Sequence, residues 1–176
     1  MDRTSGSAGT TARERHRFVY WSIQGPGWLL LVYLVLAQGV SALDYDLGAA
    51  MGAQEPAEVI TEVGTASWYG FAFADLVFYI PLLVLGLVGH LRDASWWRVI
   101  LGAGFGVTAY WPVVCLATIV AARDASGWEL ASEAPYWSVL PAIALWGLWG
   151  LVVVSRGGGR GPHATDRLGQ GSDIAG

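Results

Sequence analysis

The chain has 176 residues, of which 54% are apolar and only 14% charged, with a net charge of -4; an ordinary soluble domain is about 45–50% apolar and about 25% charged. All ten basic residues are arginine, asparagine is missing as well as lysine, and Cys115 is the only cysteine. Schiff-base chemistry on retinal or pyridoxal, a disulfide framework, a thiolate metal cluster and N-glycosylation are thereby excluded. The acidic balance argues against a nucleic-acid partner, and the apolar excess points to a membrane.

Residues 1–17, mostly small and charged, read as a disordered tail, and residues 156–176, with Gly157-Gly158-Gly159, read the same way. Between them lies one transmembrane domain, residues 18–155, holding four apolar stretches at 24–43, 68–91, 99–122 and 137–154. Each meets or approaches the run of about 20 residues that a helix needs to cross the hydrocarbon core. Gly25-Pro26-Gly27 predicts a break or kink where the first stretch begins. Tryptophan or tyrosine stands at one or both ends of every stretch, as expected of side chains that settle among headgroups. The runs are continuous rather than alternating, which disfavours membrane strands. The expected fold is all-α, an integral membrane four-helix bundle.

Nine of the ten arginines fall in the N-terminal segment, the link holding Arg92 and Arg98, or the C-terminal tail; Arg123 alone falls on the other side. The positive-inside bias therefore places both termini in the cytoplasm. The first outer loop carries Asp44, Asp46, Glu55, Glu58 and Glu62 without a basic residue. Val40-Ser41-Ala42 has the small-residue spacing of a signal-peptidase site. The even number of spans required by the arginine pattern favours an intact first helix over a cleaved one.

Asp75 stands out, because an ionisable side chain inside a span is costly and marks function by default. It lies seven residues into the second stretch, about 10 Å along the axis from Trp68. Tyr79, one turn further on, is spaced to hydrogen-bond its carboxyl, and Pro81 kinks the helix just below. Of Asp44 and Asp46, whose spacing of two puts them on different faces, at most one can turn towards Asp75. Gln54-Glu55-Pro56 starts a helix that can run unbroken into the second span, stacking Glu58 and Glu62 one turn apart as an acidic mouth. The structural alternatives are a capped aspartate and a wetted acidic face.

In the third stretch, Gly102 and Gly106 form a small-xxx-small patch for close helix approach, and Tyr110 and Trp111 are candidates for an aromatic wall. Pro81, Pro112 and Pro141 in three of the four spans suggest a bundle bent around a cavity. His90, about 22 Å from Asp75 along the helix, cannot act with it, and haem ligation there has little support. Cys115 reads as an apolar packing residue. No span pairs a nucleophile with a base, so neither catalysis nor a cofactor or metal is expected.

Phe73-Ala74-Asp75-Leu76-Val77-Phe78-Tyr79-Ile80-Pro81 resembles the second-helix signature of the EXPERA family, which includes the sigma-2 receptor and the emopamil-binding sterol isomerases. Trp28-Leu29-Leu30 with Tyr33, Gln54-Glu55-Pro56, Pro112, and Ala134-Pro135-Tyr136 with Pro141 fall in the family's order over residues 28–154. The resemblance implies a ligand cavity open to the membrane, where Asp75 and either Asp44 or Asp46, preferably Asp44, share a proton or meet an amine. It also implies sterol-like or cationic amphiphilic ligands. The family's glutamate is aspartate here, its glutamine is Tyr79, and the isomerases' intramembrane histidine has no counterpart beside a carboxylate. Isomerase activity is therefore not transferred. Arginine-only basicity with abundant Ala, Gly and Trp looks like a high-GC bacterial genome, hence a bacterial inner membrane and an isoprenoid or other lipid as readily as a sterol.

Together these features predict a hydrophobic or cationic amphiphilic ligand at Asp75, with Asp44 sharing its proton, Tyr79 as donor, and Tyr110, Trp111 and Tyr136 as walls. One rival is a proton- or cation-coupled transporter working as a homodimer, with Glu58 and Glu62 as its vestibule. Another is a scaffolding subunit docking a partner through Gly102 and Gly106.

Overall fold

The computed structural model describes residues 5–130 and 132–156, and every element in them is helical. In chain order these are α1 (Ser5–Leu34), a π-helical turn Val35–Gly39, α2 (Val40–Leu43), α3 (Tyr45–Ala50), α4 (Ala57–Ala74), a second π-helical turn Asp75–Tyr79, α5 (Ile80–Leu91), α6 (Trp97–Ala122) and α7 (Ala134–Arg156). They make four helical rods long and apolar enough to cross a membrane: Arg17–Leu43, Ala57–Leu91, Trp97–Ala122 and Ala134–Arg156. The chain is thus all-α with four candidate spans, each reaching further at one or both ends than the apolar stretches. Helix begins at Ser5, inside the segment expected as a disordered tail. Beyond Arg156 the expected C-terminal tail lies outside the described residues.

The outer faces are apolar: Leu29, Phe78, Val99 and Leu145 are 66% to 75% exposed, the surface of a helix built for lipid rather than water. The α1 and α5 segments pack together, α5 packs on α6, and α6 packs along the length of α7. In lipid this association cannot draw on the hydrophobic effect and relies on close packing and hydrogen bonds. At the α6–α7 seam the close approach is made by Gly147 and Gly150. A Cβ on Gly147 would stand 2.7 Å from the Ala109 backbone nitrogen, and one on Gly150 would stand 2.6 Å from the Phe105 ring. The Gly102–Gly106 patch plays a smaller part: Gly102 looks across at Val154, and Gly106 faces open space.

Proline does not interrupt the first span. α1 continues through Pro26, so of the expected break or kink no break forms. Proline lacks the N–H that would bond the carbonyl four residues back, which is that of Ser22. The Trp146 indole of α7 donates to the Ser22 oxygen at 3.0 Å, so a neighbouring helix satisfies the freed carbonyl. Nearby, the fully buried Gln24 is saturated. Its amide donates to Leu87 O and to His90 Nδ1 while its oxygen accepts from Trp28 Nε1. This network ties α1 to α5 at the end that carries Arg17, Arg92, Arg98 and Arg156, called here the arginine end. The opposite end, with Asp44, Glu55 and Arg123, is called the acidic end.

Candidate functional site

Asp75 opens the second π-helical turn and is only 7% exposed. The amide of Ile80 bonds back to the Asp75 carbonyl, an i+5 closure that replaces one α-helical turn with a wider one. The first π turn, Val35–Gly39, packs against it from the first span. Among the described residues the Asp75 carboxyl has no hydrogen-bond or ion-pair partner. Its charge nevertheless acts on Tyr33 of the first span, on Tyr79, and on Cys115 of the third. Tyr33 and Cys115 in turn act on Tyr136 of the fourth. Tyr33, Asp75, Cys115 and Tyr136, one from each span, are thus each within electrostatic reach of another of the set, although no hydrogen bond joins them among the described residues and Tyr33 is 48% exposed; they are called here the Asp75 locus.

Tyr79 does not donate to Asp75 as its spacing suggested. The Thr108 hydroxyl spends its proton on Gly104 O at 2.8 Å, so the contact of 2.6 Å between Tyr79 Oη and Thr108 Oγ1 has the tyrosine as donor. The wider π turn has carried Tyr79 off the line through Asp75 and onto α6. Trp111 is buried beside this pair, and its Nε1 lacks a partner at hydrogen-bond geometry among the described residues.

Asp44 is exposed and does not meet Asp75. Its backbone is extended, ending α2, and its Oδ1 accepts from Leu47 N at 3.0 Å as the N-cap of α3. Asp46, in the first turn of α3, is exposed as well. No second carboxylate acts on Asp75 among the described residues, so the carboxyl pair implied by the resemblance is not formed. Tyr110 is 66% exposed and turned to the exterior, while Trp111 is 8% exposed. Neighbours on a helix stand about 100° apart, and only one of the two can face the bundle.

At the acidic end, Tyr136 Oη donates to Glu55 Oε1 at 2.6 Å and Tyr45 Oη donates to Glu55 O at 2.8 Å. Burial, and then the Glu55 charge, push the Tyr45 hydroxyl up to about 12. Gln54 donates to Gln38 of the first π turn at 2.8 Å. Glu58 and Glu62 do not stack on one continuous helix, because Thr61 between them takes φ 68° and ψ 165° and kinks α4. Both are exposed. Arg123 pairs with Glu133 across the α6–α7 loop. The Arg123 hydrogen bond, followed by one from Trp137 Nε1, holds the Glu133 carboxyl below its ordinary value.

Two cavities open near this end, one of about 280 Å³ against Tyr45, Asp46 and Glu58, and one of about 270 Å³ against Ile60, Trp68 and Trp128. Neither is lined by Asp75. The groups around Asp75 form a polar junction between helices. Tyr33, Cys115, Thr108 and Glu55 are the members that residue-by-residue reading missed as site residues. Their signals were that Tyr33 and Glu55 stand in the segments that resemble the EXPERA pattern and that Thr108 is a polar residue near the middle of its span.

No family model, characterised protein or solved structure matches the chain. Fold and locus together define an all-α protein with four candidate membrane spans and, among the described residues, a buried carboxyl without a partner. Among the described residues, no group of three or more His, Cys, Asp and Glu side chains could hold a metal ion.

Proposed function

We propose that this protein is a multi-pass membrane receptor or carrier for a cationic amphiphile, such as an amine-bearing sterol-like or isoprenoid-like lipid, held by its charged head at Asp75. Both termini lie in the cytoplasm in this reading, as the arginine bias requires. The supporting observation is the Asp75 carboxyl itself, buried and without a hydrogen-bond or ion-pair partner among the described residues. A buried carboxylate without a counter-charge is unstable, and an ammonium group would supply both the charge and the donors. α7 meets the first span without an extended interface and is fixed to it at the arginine end by the Trp146–Ser22 bond. A lipid would slip between the first and fourth spans at the level of Tyr33. The EXPERA resemblance points to the same ligand class.

The test is binding of a long-chain tertiary amine to the full protein in nanodiscs. Asp75→Asn keeps the shape and removes the charge, and affinity should fall about thirtyfold or more, the worth of about 2 kcal/mol for a buried charge pair. Unchanged affinity would refute the assignment. Lipid mass spectrometry of gently purified protein adds a second check: a species bound by the parent and lost from Asp75→Asn is expected.

The Tyr136–Glu55 hydrogen bond favours one alternative, a proton- or cation-coupled transporter. It links the locus of Tyr33 and Asp75 to a carboxylate at the acidic end. Proton flux in proteoliposomes that depends on both Asp75 and Glu55 would establish it.

A further inference from the structure

The second cavity, of about 270 Å³, lies between α4 and the acidic end of α6, under the loop that joins α6 to α7. It owes its shape to the kink at Thr61. The Thr61 φ of 68° is an uncommon backbone state for a β-branched residue. The loop is fixed over the kink by Glu129 N donating to Val59 O at 2.7 Å. Gly127, itself at φ 80°, sits where a Cβ would come within 3.0 Å of the Thr61 methyl. Gly64 likewise gives room to the Trp128 ring, which a Cβ would meet at 3.2 Å.

The lining chemistry is specific. Ile60 and Trp68 form a buried apolar floor, and no ionisable side chain lines the space. Trp128 Nε1 is buried and has no acceptor among the described residues. Ser67 and Thr118 hydroxyls spend their protons on Val63 O and Val114 O, both at 2.9 Å, which leaves their oxygens as acceptors. The cavity therefore offers the indole donor, the Ser67 and Thr118 acceptor oxygens, and the Thr61 and Ser126 hydroxyls, whose protons are uncommitted among the described residues, with nothing to neutralise a charge. A carbonyl would use only donors and leave the Ser67 and Thr118 oxygens unmet. An ammonium or phosphate would be buried without a counter-ion. A hydroxyl uses both kinds of group, giving its proton to one oxygen and accepting from the indole.

We propose that this cavity is a second binding site, distinct from Asp75, for the hydroxyl head of an uncharged single-chain lipid such as a long-chain or isoprenoid alcohol. Trp128 Nε1 donates to the hydroxyl oxygen, and Ser67 or Thr118 accepts its proton. The space holds the head and the first carbons, and the rest of the tail runs out along the apolar faces of α4 and α6 into the bilayer.

The test is photolabelling of the full protein in nanodiscs with a diazirine-bearing hexadecanol, the crosslinked peptides being mapped by mass spectrometry. Label is expected within residues 60–68 and 118–128, and label elsewhere overturns the proposal. Trp128→Phe removes the N–H and keeps the ring, and labelling should fall about fivefold, the scale of one neutral hydrogen bond; a smaller loss overturns the proposal. If that variant unfolds, Ser67→Ala with Thr118→Val removes the two acceptors named in the proposal and must show the same loss. The methyl ester of the same chain, which has no O–H, must label more weakly than the alcohol, and equal labelling refutes hydroxyl recognition. Asp75→Asn must label like the parent. A loss there moves the alcohol to the other locus and overturns this site without touching the amine reading.

Discussion

Trp146→Phe should destabilise the protein through a carbonyl that proline created. In an unbroken α1 the amide of residue 26 would bond Ser22 O, but Pro26 has no amide, and the Trp146 indole takes its place at 3.0 Å. Phenylalanine keeps most of the ring packing and leaves the half-buried carbonyl with no donor. Interhelical hydrogen bonds in membranes average about 0.6 kcal/mol and reach about 1.7 kcal/mol. An acceptor without an alternative partner belongs at the upper end, so the expected loss is about 1–2 kcal/mol. The discriminating variant is Pro26→Ala, which restores an amide in register with Ser22 O inside a helix already continuous there. In that background Trp146→Phe should cost about 1 kcal/mol less than in the parent. Reversible unfolding in mixed micelles of the parent, both single variants and the double variant measures that coupling. Independent sites add to within about 0.3–0.5 kcal/mol, so a coupling below that range would refute the carbonyl explanation and reduce Trp146 to a packing residue.

Three further outcomes are expected. Gly147→Leu should cost about 3 kcal/mol or prevent folding, because even a Cβ meets rigid backbone at Ala109, whereas Gly106→Leu, pointing into open space, should stay within about 0.5 kcal/mol of the parent; thermal unfolding of the two in the same detergent compares them directly, and equal losses would contradict the observed α6–α7 seam. The Arg123–Glu133 pair should contribute stability only where Glu133 is ionised. Its carboxyl sits below its ordinary value when folded, so the contribution is complete above the unfolded value and fades as pH falls through the folded one. The melting difference between the parent and Glu133→Gln should thus close on acidification, and a difference constant with pH would disprove it. Pro81→Ala should let the turn 75–79 relax towards α-helix and return Tyr79 to Asp75. Amine binding should weaken while folding stability is retained, and unchanged binding would separate the π turn from the site.

The arginine and aromatic patterns and the continuous apolar runs made the four spans legible, because in lipid these features follow from hydrogen-bond closure and solvation of the ends. Asp75 was legible for the same reason: charge is rare enough in a span to be visible alone. Contacts that depend on helix rotation were not. Asp44 looked available until an extended backbone turned it into a cap for α3. Tyr110 and Trp111 could not be separated from sequence, since which of two neighbours faces inward depends on the phase of α6. Gly102 and Gly106 have the textual spacing of a packing motif, yet the fold uses Gly147 and Gly150, because α7 crosses α6 opposite Phe105 and Thr108. The kink at Thr61 had no sequence signal, since threonine is among the residues least suited to positive φ.

Pro81 offers a physical account of the state of Asp75. Pro81 lacks an amide, and in an α-helix its ring would clash with the carbonyl four residues back, that of Val77. The π turn Asp75–Tyr79 lies immediately before it and widens the helix where the clash would fall. An i, i+4 pair that would stack in a regular helix is thereby rotated apart. Tyr79 is handed to Thr108, whose own proton is already committed to Gly104 O, so the tyrosine proton goes to α6 and away from the carboxylate. Asp75 is left buried with neither the donor its own helix would have supplied nor a cation from its neighbours. The proline costs a backbone hydrogen bond, and the buried carboxyl without a partner among the described residues is the observation on which the proposed amine site rests.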